Sequence, residues 1–323
     1  MYNQTEVILS QYELEIRQVS KGRGYYICDT SRGQLLLSPF KGSEEKGRWI
    51  RRYLEELQMA GYVAEQIYPS RAGAVVAEDE MTGERFWLKT EISGRELSTS
   101  LLEEMTEAAT MLARFHNASA KVCLAENGIG ELRVVQTSAR HARELIKVKN
   151  YIRSKKKKQQ FERIYMQQFA VMYHAAEKSC ELLLRATEEG KDLIVCHGDC
   201  NQHNIVRAEH HWQLVHFENV VYSWPMWDLA NYMRKMLEKN NWNMTLGAEI
   251  LKAYHAYRPL TEDDRHKLYG LLLFPEKFWK IANHYMGSNK AWIPEKDIEK
   301  LKKVIEQENY RIKFVENLFS ICS

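Results

Sequence analysis

Most of the features that place a protein at a glance are scarce in this chain. Its net charge is +3 over 323 residues, too little by itself to imply a polyanionic partner. No apolar run approaches the roughly 20 residues of a membrane-spanning helix, so no membrane span is expected. The opening Met1-Tyr-Asn-Gln-Thr-Glu6 lacks the basic-then-apolar layout of a secretory signal. Six cysteines (Cys28, Cys123, Cys180, Cys196, Cys200 and Cys322) form no dense framework. That argues against a disulfide-stapled scaffold and makes a reducing cytoplasm the expected place of synthesis. Internal repeats and low-complexity tracts are missing as well. What is present is an ordinary balance, 45% hydrophobic and 28% charged, with enough chain for one large domain or two lobes that each bury a core. Eight Trp and seventeen Tyr are generous and suit deep grooves or adhesive surfaces.

Two compositional regimes follow one another. Up to about residue 90 short β-prone runs dominate: Glu13 to Val19, Tyr25 to Asp29 and Gln34 to Leu37, punctuated by Gly22-Arg-Gly24 and Arg32-Gly33. Trp49, Ile50, Tyr53, Leu54 and Leu57 recur at helical steps between Ser43 and Ala60, and Gly61 stops them. Gly73 to Ala77 and Arg85 to Lys89 read as a hairpin around Met81-Thr-Gly83. Beyond Gly94 the periodicity is helical, in 101–117, around 139–153 and 159–186, in 228–239 and in most of 245–319. The interval 193–222 reads as loop and short strands, including a strand from Gln213 to Phe217. Strands followed by helices predict an α+β protein of two lobes with a cleft between them: a β-rich N-terminal lobe over 1–92 and a larger helical lobe over 93–323.

The most informative stretch is Cys196-His-Gly-Asp-Cys-Asn-Gln-His-Asn-Ile205-Val206, preceded by apolar Leu193-Ile194-Val195. A polar turn between two β-like runs explains a Gly-Asp pair on its own. The interval from Asp199 to Asn204 adds a second reading, because kinase-type phosphoryl transfer uses an Asp to accept the proton of the attacking hydroxyl and a nearby Asn to hold a metal ion. Gly198 then permits the tight backbone and His197 supports the loop. Trp227-Asp228-Leu229-Ala230 opens a further helix, where Asp228 is placed to cap it and bond back to the loop.

In this order, a strand-rich start, Leu112-Ala-Arg-Phe-His116, His197-Gly-Asp199 with Asn204, and Asp228-Leu-Ala230, the chain resembles the aminoglycoside phosphotransferase and choline kinase superfamily. Leu37-Ser-Pro-Phe-Lys-Gly42, Thr90-Glu-Ile-Ser-Gly-Arg-Glu96, Phe274-Pro-Glu-Lys-Phe-Trp279 and Asn283-His-Tyr285 make it most similar to the CotS-type spore coat proteins. The resemblance implies a protein kinase-like fold, Asp199 as base, Asn204 as metal ligand, and Glu91, Ile92 and Ser93 along a nucleotide-binding hinge. It also implies ATP and Mg²⁺ as cofactors, a small-molecule phosphate acceptor, and other coat proteins as partners in the spore coat. Two positions depart from the pattern. The metal-binding Asp of the following strand is replaced in Val215-His216-Phe217, and the phosphate-binding Lys of the third strand corresponds to Ser38. Both changes remove positive charge, direct or metal-borne, from beside a polyphosphate, and imidazole is a poor ligand for hard Mg²⁺. On an extended strand Glu218 faces the same side as His216 and is the candidate replacement ligand. Lys41, three residues from Ser38, faces the other way. The departures count against both cofactors and favour a degenerate kinase.

Other clusters invite competing readings. Cys196, His197, Cys200 and His203 have zinc-type donors, but they coincide with the loop and lack a second cysteine pair nearby. Gly22-Arg-Gly24 is a plain β-turn or an anion-contacting one. From Arg133 to Arg163 there are eleven Lys or Arg against two Glu, a solvated face or a docking surface for an acidic partner. No nucleic-acid module accompanies it. Phe274, Trp279, Tyr285 and Trp292 read as helical core or as the wall of the substrate cleft, and His116 and Asn117 as capping and packing residues. Two functions of different kind follow: a CotS-like coat-associated protein using the phosphotransferase scaffold with little or no catalysis, or an active ATP-dependent small-molecule kinase with Asp199 as base and Asn204 and Glu218 as metal ligands.

Overall fold

Continuous apolar runs, Leu35-Leu36-Leu37 and Phe86-Trp87-Leu88, let the N-terminal antiparallel sheet bury both faces at its centre. The computed structural model describes residues 4–22, 24–124, 129–188, 192–209, 211–288 and 293–321. Helix α1 (Gln4–Leu9) precedes β1 (Ile16–Lys21), β2 (Tyr26–Thr30), β3 (Gly33–Pro39), α2 (Glu44–Met59), β4 (Ile67–Tyr68), β5 (Ala77–Glu78) and β6 (Arg85–Thr90). The strand order is β1-β2-β3-β6-β4, with β5 also on β6. In the register of β3 with β6, Leu37 lies opposite Leu88 and Ser38 opposite Trp87. Pleating therefore puts Leu35, Leu37, Phe86 and Leu88 on one face, where they join Ile8, Leu9 and Tyr12 of the α1 segment in a buried cluster. Leu36, Ser38, Trp87 and Lys89 share the opposite face.

Ser43 caps α2 by accepting from the Lys46 amide at 3.2 Å, and Gly61 at φ +87° ends the turn that follows. The hairpin expected from Gly73 to Lys89 is shorter than its pattern: only Ala77–Glu78 pairs with β6. The amides of Val75 and Val76 donate instead to the Glu44 carboxylate of α2, at 3.0 and 2.8 Å, which takes them out of any ladder.

The remaining elements are β7 (Arg95–Glu96), α3 (Leu102–Ser119), α4 (Val134–Ser154), α5 (Gln160–Glu188), β8 (Ile194–Cys196), β9 (Ile205–Ala208), β10 (His211–Leu214), β11 (Val221–Ser223), α6 (Pro225–Lys239), α7 (Met244–Tyr257), α8 (Glu262–Leu273), α9 (Glu276–Gly287), α10 (Glu295–Glu316) and α11 (Leu318–Ile321). Helices thus dominate the C-terminal part, as expected of the kinase-like α+β class. Contacts divide the chain into two units that are discontinuous in sequence: Met1–Leu97 with Met111–Glu131 and Ile194–Tyr222, and Ser98–Thr110 with Leu132–Leu193 and Ser223–Ser323. No helix among the described residues is long and apolar enough to cross a membrane.

In the second unit α4, α5, α9 and α10 enclose Leu145, Val148, Phe161, Tyr165, Phe278 and Leu301. Phe274 and Tyr285 are buried here too, which makes them core. Trp279 is partly buried; its ring stacks on His141 at 3.4 Å and its Nε1–H donates to Glu144 at 2.7 Å. Trp292 lies outside the described residues. The basic run is only half a surface feature. Lys155 pairs with the buried Glu162, which also accepts from the Tyr285 hydroxyl at 2.6 Å. The Lys158 ammonium turns back to the Lys155 carbonyl at 3.0 Å, whereas Lys156 and Lys157 are exposed. Asp228 does not cap its helix: Trp224 occupies the N-cap, Pro225 starts α6, and Asp228 sits buried in the first turn.

Candidate functional site

The residues singled out in the loop after β8 come together as a hydrogen-bonded unit. His197 is fully buried. Its Nε2 lies 2.9 Å from the Val215 carbonyl; a carbonyl can only accept, so that nitrogen carries the proton. Its Nδ1 then accepts the Asp199 amide at 3.3 Å. The imidazole is a neutral brace for the loop. Asp199 receives Asn201 Nδ2 on Oδ1 at 2.9 Å and Asn204 Nδ2 on Oδ2 at 3.0 Å. Asn204 Nδ2 also reaches the Asp199 carbonyl at 2.9 Å. Two amides thus aim a half-buried carboxylate, the arrangement a hydroxyl-activating base needs. The Val215 amide in turn donates to the Asn204 carbonyl at 3.0 Å, which stitches the loop to the next segment.

That segment is not the strand its sequence suggests. β10 ends at Leu214, His216 is left-handed at φ 68°, and Phe217–Asn219 form a single 3-10 turn. A β-ladder cannot continue through a positive φ, so His216 and Glu218 are not related by the pleat. They are brought near each other by a different route. The Glu65 carboxylate, just beyond α2, accepts the His216 and Phe217 amides at 3.2 Å each. It also binds Lys89 Nζ at 3.2 Å. Lys89 Nζ donates in addition to Glu218 Oε1 at 2.7 Å and lies 3.2 Å from His216 Nδ1. An ammonium only donates, so Nδ1 is the acceptor there; at 3.9 Å it is too far from Glu218 for a hydrogen bond. Lys46 of α2 closes the cluster by donating to the Glu218 carbonyl at 2.9 Å.

Burial opposes the charge on both Lys89 and Glu218, and their mutual attraction outweighs it. The Glu65 and Glu218 carboxylates raise the Lys89 ammonium above its usual range, and Lys89 holds Glu218 well below the usual carboxylate range. The stability from Glu218 is therefore full above its ordinary value of 4.5 and drains away as pH falls below it. The contribution of Lys89 is full below 10.5 and is lost as pH rises past that. Denaturant unfolding followed from about pH 7 to pH 3 should show an acid limb that Glu218→Gln flattens; an unchanged limb would mean that the pair does not carry it.

The other expected site residues are placed as follows. Ser38 is buried on β3 with its hydroxyl unpartnered, paired with Trp87, whose ring stacks on Phe40 at 4.2 Å. Lys41 is exposed beyond the end of β3. The Glu91 amide donates to the Gln34 carbonyl at 3.3 Å, Ile92 is half-buried and Ser93 exposed. Cys196, His197, Cys200 and His203 do not gather into a metal-sized group; His203 is exposed and bonds Glu96 at 2.7 Å. Gly22 and Gly24 form a tight turn, with the Gly22 amide on the Tyr25 carbonyl at 2.9 Å, and Arg23 lies outside the described residues. The cluster that matters was built by residues the motifs did not flag: Lys89, Glu65 and Lys46. The available signal was Lys89 itself, a charge directly after the apolar run Phe86-Trp87-Leu88, which demands a buried partner. For Mg²⁺, an oxygen-seeking ion, the residues do not fit: one position is an imidazole and both carboxylates already hold an ammonium.

The family model described as "Spore coat putative kinase YutH" matches residues 5–318. Spore coat protein S of Bacillus subtilis (strain 168) is 22% identical over 327 residues, covering 96% of this chain and 92% of that one. Among solved structures, an aminoglycoside phosphotransferase from Alicyclobacillus acidocaldarius subsp. acidocaldarius superposes with a TM-score of 0.82 at 18% identity, over 98% of this chain and 96% of the other. Amicoumacin kinase hAmiN, in complex with AMP-PNP and Ca²⁺, gives 0.63 at 14% identity, over 97% and 94%. These likenesses show the kinase-like fold.

Proposed function

The chain belongs to the YutH family of spore coat proteins, and from that premise we propose that it serves the coat as a kinase-like scaffold with little or no phosphoryl transfer. The observation that carries this reading is the commitment of Glu218, the acidic side chain of the altered segment, to Lys89 at 2.7 Å. Catalysis of phosphoryl transfer rests on positioning and on cationic stabilisation of the phosphates, and this carboxylate is not free to hold a metal for that purpose. The scaffold's partners are other coat proteins. Exposed Lys156 and Lys157 offer an acidic one a contact.

Asp199→Ala is expected to leave coat incorporation unchanged, measured by fractionating spore coats from a strain carrying the variant. Purified wild type should consume ATP no faster than that variant. Loss of incorporation by a folded Asp199→Ala protein would count against the scaffold reading. The intact geometry of Asp199 between Asn201 and Asn204 favours a second reading, an ATP-dependent small-molecule phosphotransferase with Asp199 as base. It predicts measurable turnover that Asp199→Asn lowers by about 10²–10⁴-fold without unfolding.

A further inference from the structure

We propose that the Lys89 ammonium is the resident cation of this site, filling a seat of two carboxylates and one imidazole and so shutting out a divalent metal. This deepens the scaffold reading and rests on it, by naming what keeps the site from taking a metal. Lys89 Nζ has three acceptors around it, Glu218 Oε1 at 2.7 Å, Glu65 Oε1 at 3.2 Å and His216 Nδ1 at 3.2 Å. Three N–H donors meet three acceptors, so the ammonium is satisfied as it stands. The lysine side chain is 0% exposed and that of Glu65 2%, so this side of the seat is closed to water, while Glu218 and His216 keep 23% and 31% exposure on the other. The seat is also rigid. Glu65 is fixed by the His216 and Phe217 amides, and the Glu218 backbone by Lys46.

Charge tells the same way. Two carboxylates are balanced by the Lys89 and Lys46 ammoniums, and the imidazole accepts from Lys89 in its neutral form. A divalent ion entering the seat would meet a lysine where it needs ligands at about 2.0–2.2 Å. Remove the lysine and the same three side chains become a two-carboxylate, one-imidazole donor set of the kind that suits Mn²⁺ or Zn²⁺. By the same logic, no metal held in this seat bridges a polyphosphate bound by the chain.

The test is a Mn²⁺ titration of the full chain, read by water-proton relaxation. Wild type should show no binding at this site. Lys89→Ala should bind Mn²⁺ at least about tenfold more tightly, Mn²⁺ should raise the Tm of that variant only, and adding Glu218→Gln should remove the gain. Mn²⁺ binding by wild type that Glu218→Gln abolishes overturns the proposal, as does a folded Lys89→Ala protein with no gain. Should Lys89→Ala fail to fold, the wild-type titration with its Glu218→Gln control decides alone: binding sinks the proposal and its absence supports it. ATP turnover undiminished by EDTA would sink the scaffold reading and leave the cation seat standing. Mn²⁺ binding without turnover would do the reverse.

Discussion

Lys89→Met should cost about 3–5 kcal/mol of folding stability, the range expected when one partner of a buried ion pair is removed. Methionine keeps most of the unbranched stem, so little packing against the β-sheet is lost. What goes is the charge that compensates Glu218 and the 2%-exposed Glu65. Glu65 cannot recover its hydration in place, and Glu218, 23% exposed, can do so only in part. Taking up a proton relieves both, so the loss should be largest near neutral pH and shrink on acidification. Adding Glu218→Gln to Lys89→Met should restore part of the stability, because it removes one of the stranded charges. The control is Arg51→Ala, which breaks the exposed i,i+4 pair with Glu55 and should change stability by less than about 1 kcal/mol. Denaturant unfolding of the three variants measures all of this. A Lys89→Met cost no greater than that of Arg51→Ala would mean that the cluster is solvated and the cation seat is not what holds it.

The unequal legibility of fold and site has a physical source. Local patterns reported local structure well: the 3.6-residue stripe through Trp49, Ile50, Tyr53, Leu54 and Leu57 is α2, and the order of motifs gave the kinase-like class. The loop around Asp199 was legible because its chemistry is contiguous; His197, Asn201 and Asn204 all bond within five residues of Asp199 or to the next strand end. The cluster at Lys89 was not, because its members are up to 172 residues apart, from Lys46 to Glu218, and the lysine sits one strand away from where β3 places Ser38. Period-2 reasoning also failed locally at His216. A strand was expected through Phe217, and the Glu65 carboxylate overrides it by drawing two successive amides into a left-handed turn. Glu218 does approach His216, but by that turn and by Lys89. In the same way Val75 and Val76 have strand propensity, yet a carboxylate from α2 takes their amides. In both places a long-range side-chain acceptor outcompeted the ladder.

The second large effect is expected at Gly198. Its φ of +81° is one that an L side chain adopts only with strain, and a Cβ added there would lie 2.1 Å from the Asn219 carbonyl oxygen. The first term alone costs on the order of 1–2 kcal/mol. The second cannot be relieved by rotating a side chain, because the obstacle is backbone at the end of the 3-10 turn. Gly198→Ala should therefore cost roughly 2–4 kcal/mol in all. Gly33→Ala separates the terms: its φ is +90°, but nothing lies within 4 Å of the added Cβ, so it should pay the strain alone. The displacement forced at position 198 must move either the Asp199 loop or the 217–219 turn. The bond from His197 Nε2 to the Val215 carbonyl and that from the Val215 amide to Asn204 tie these together, so the disturbance should reach Lys89 and its partners. Amide hydrogen exchange reads this directly: the His216 and Phe217 amides, protected by Glu65, should exchange faster in Gly198→Ala and not in Gly33→Ala. Equal protection in the two variants would show that the loop and the cation cluster are mechanically independent.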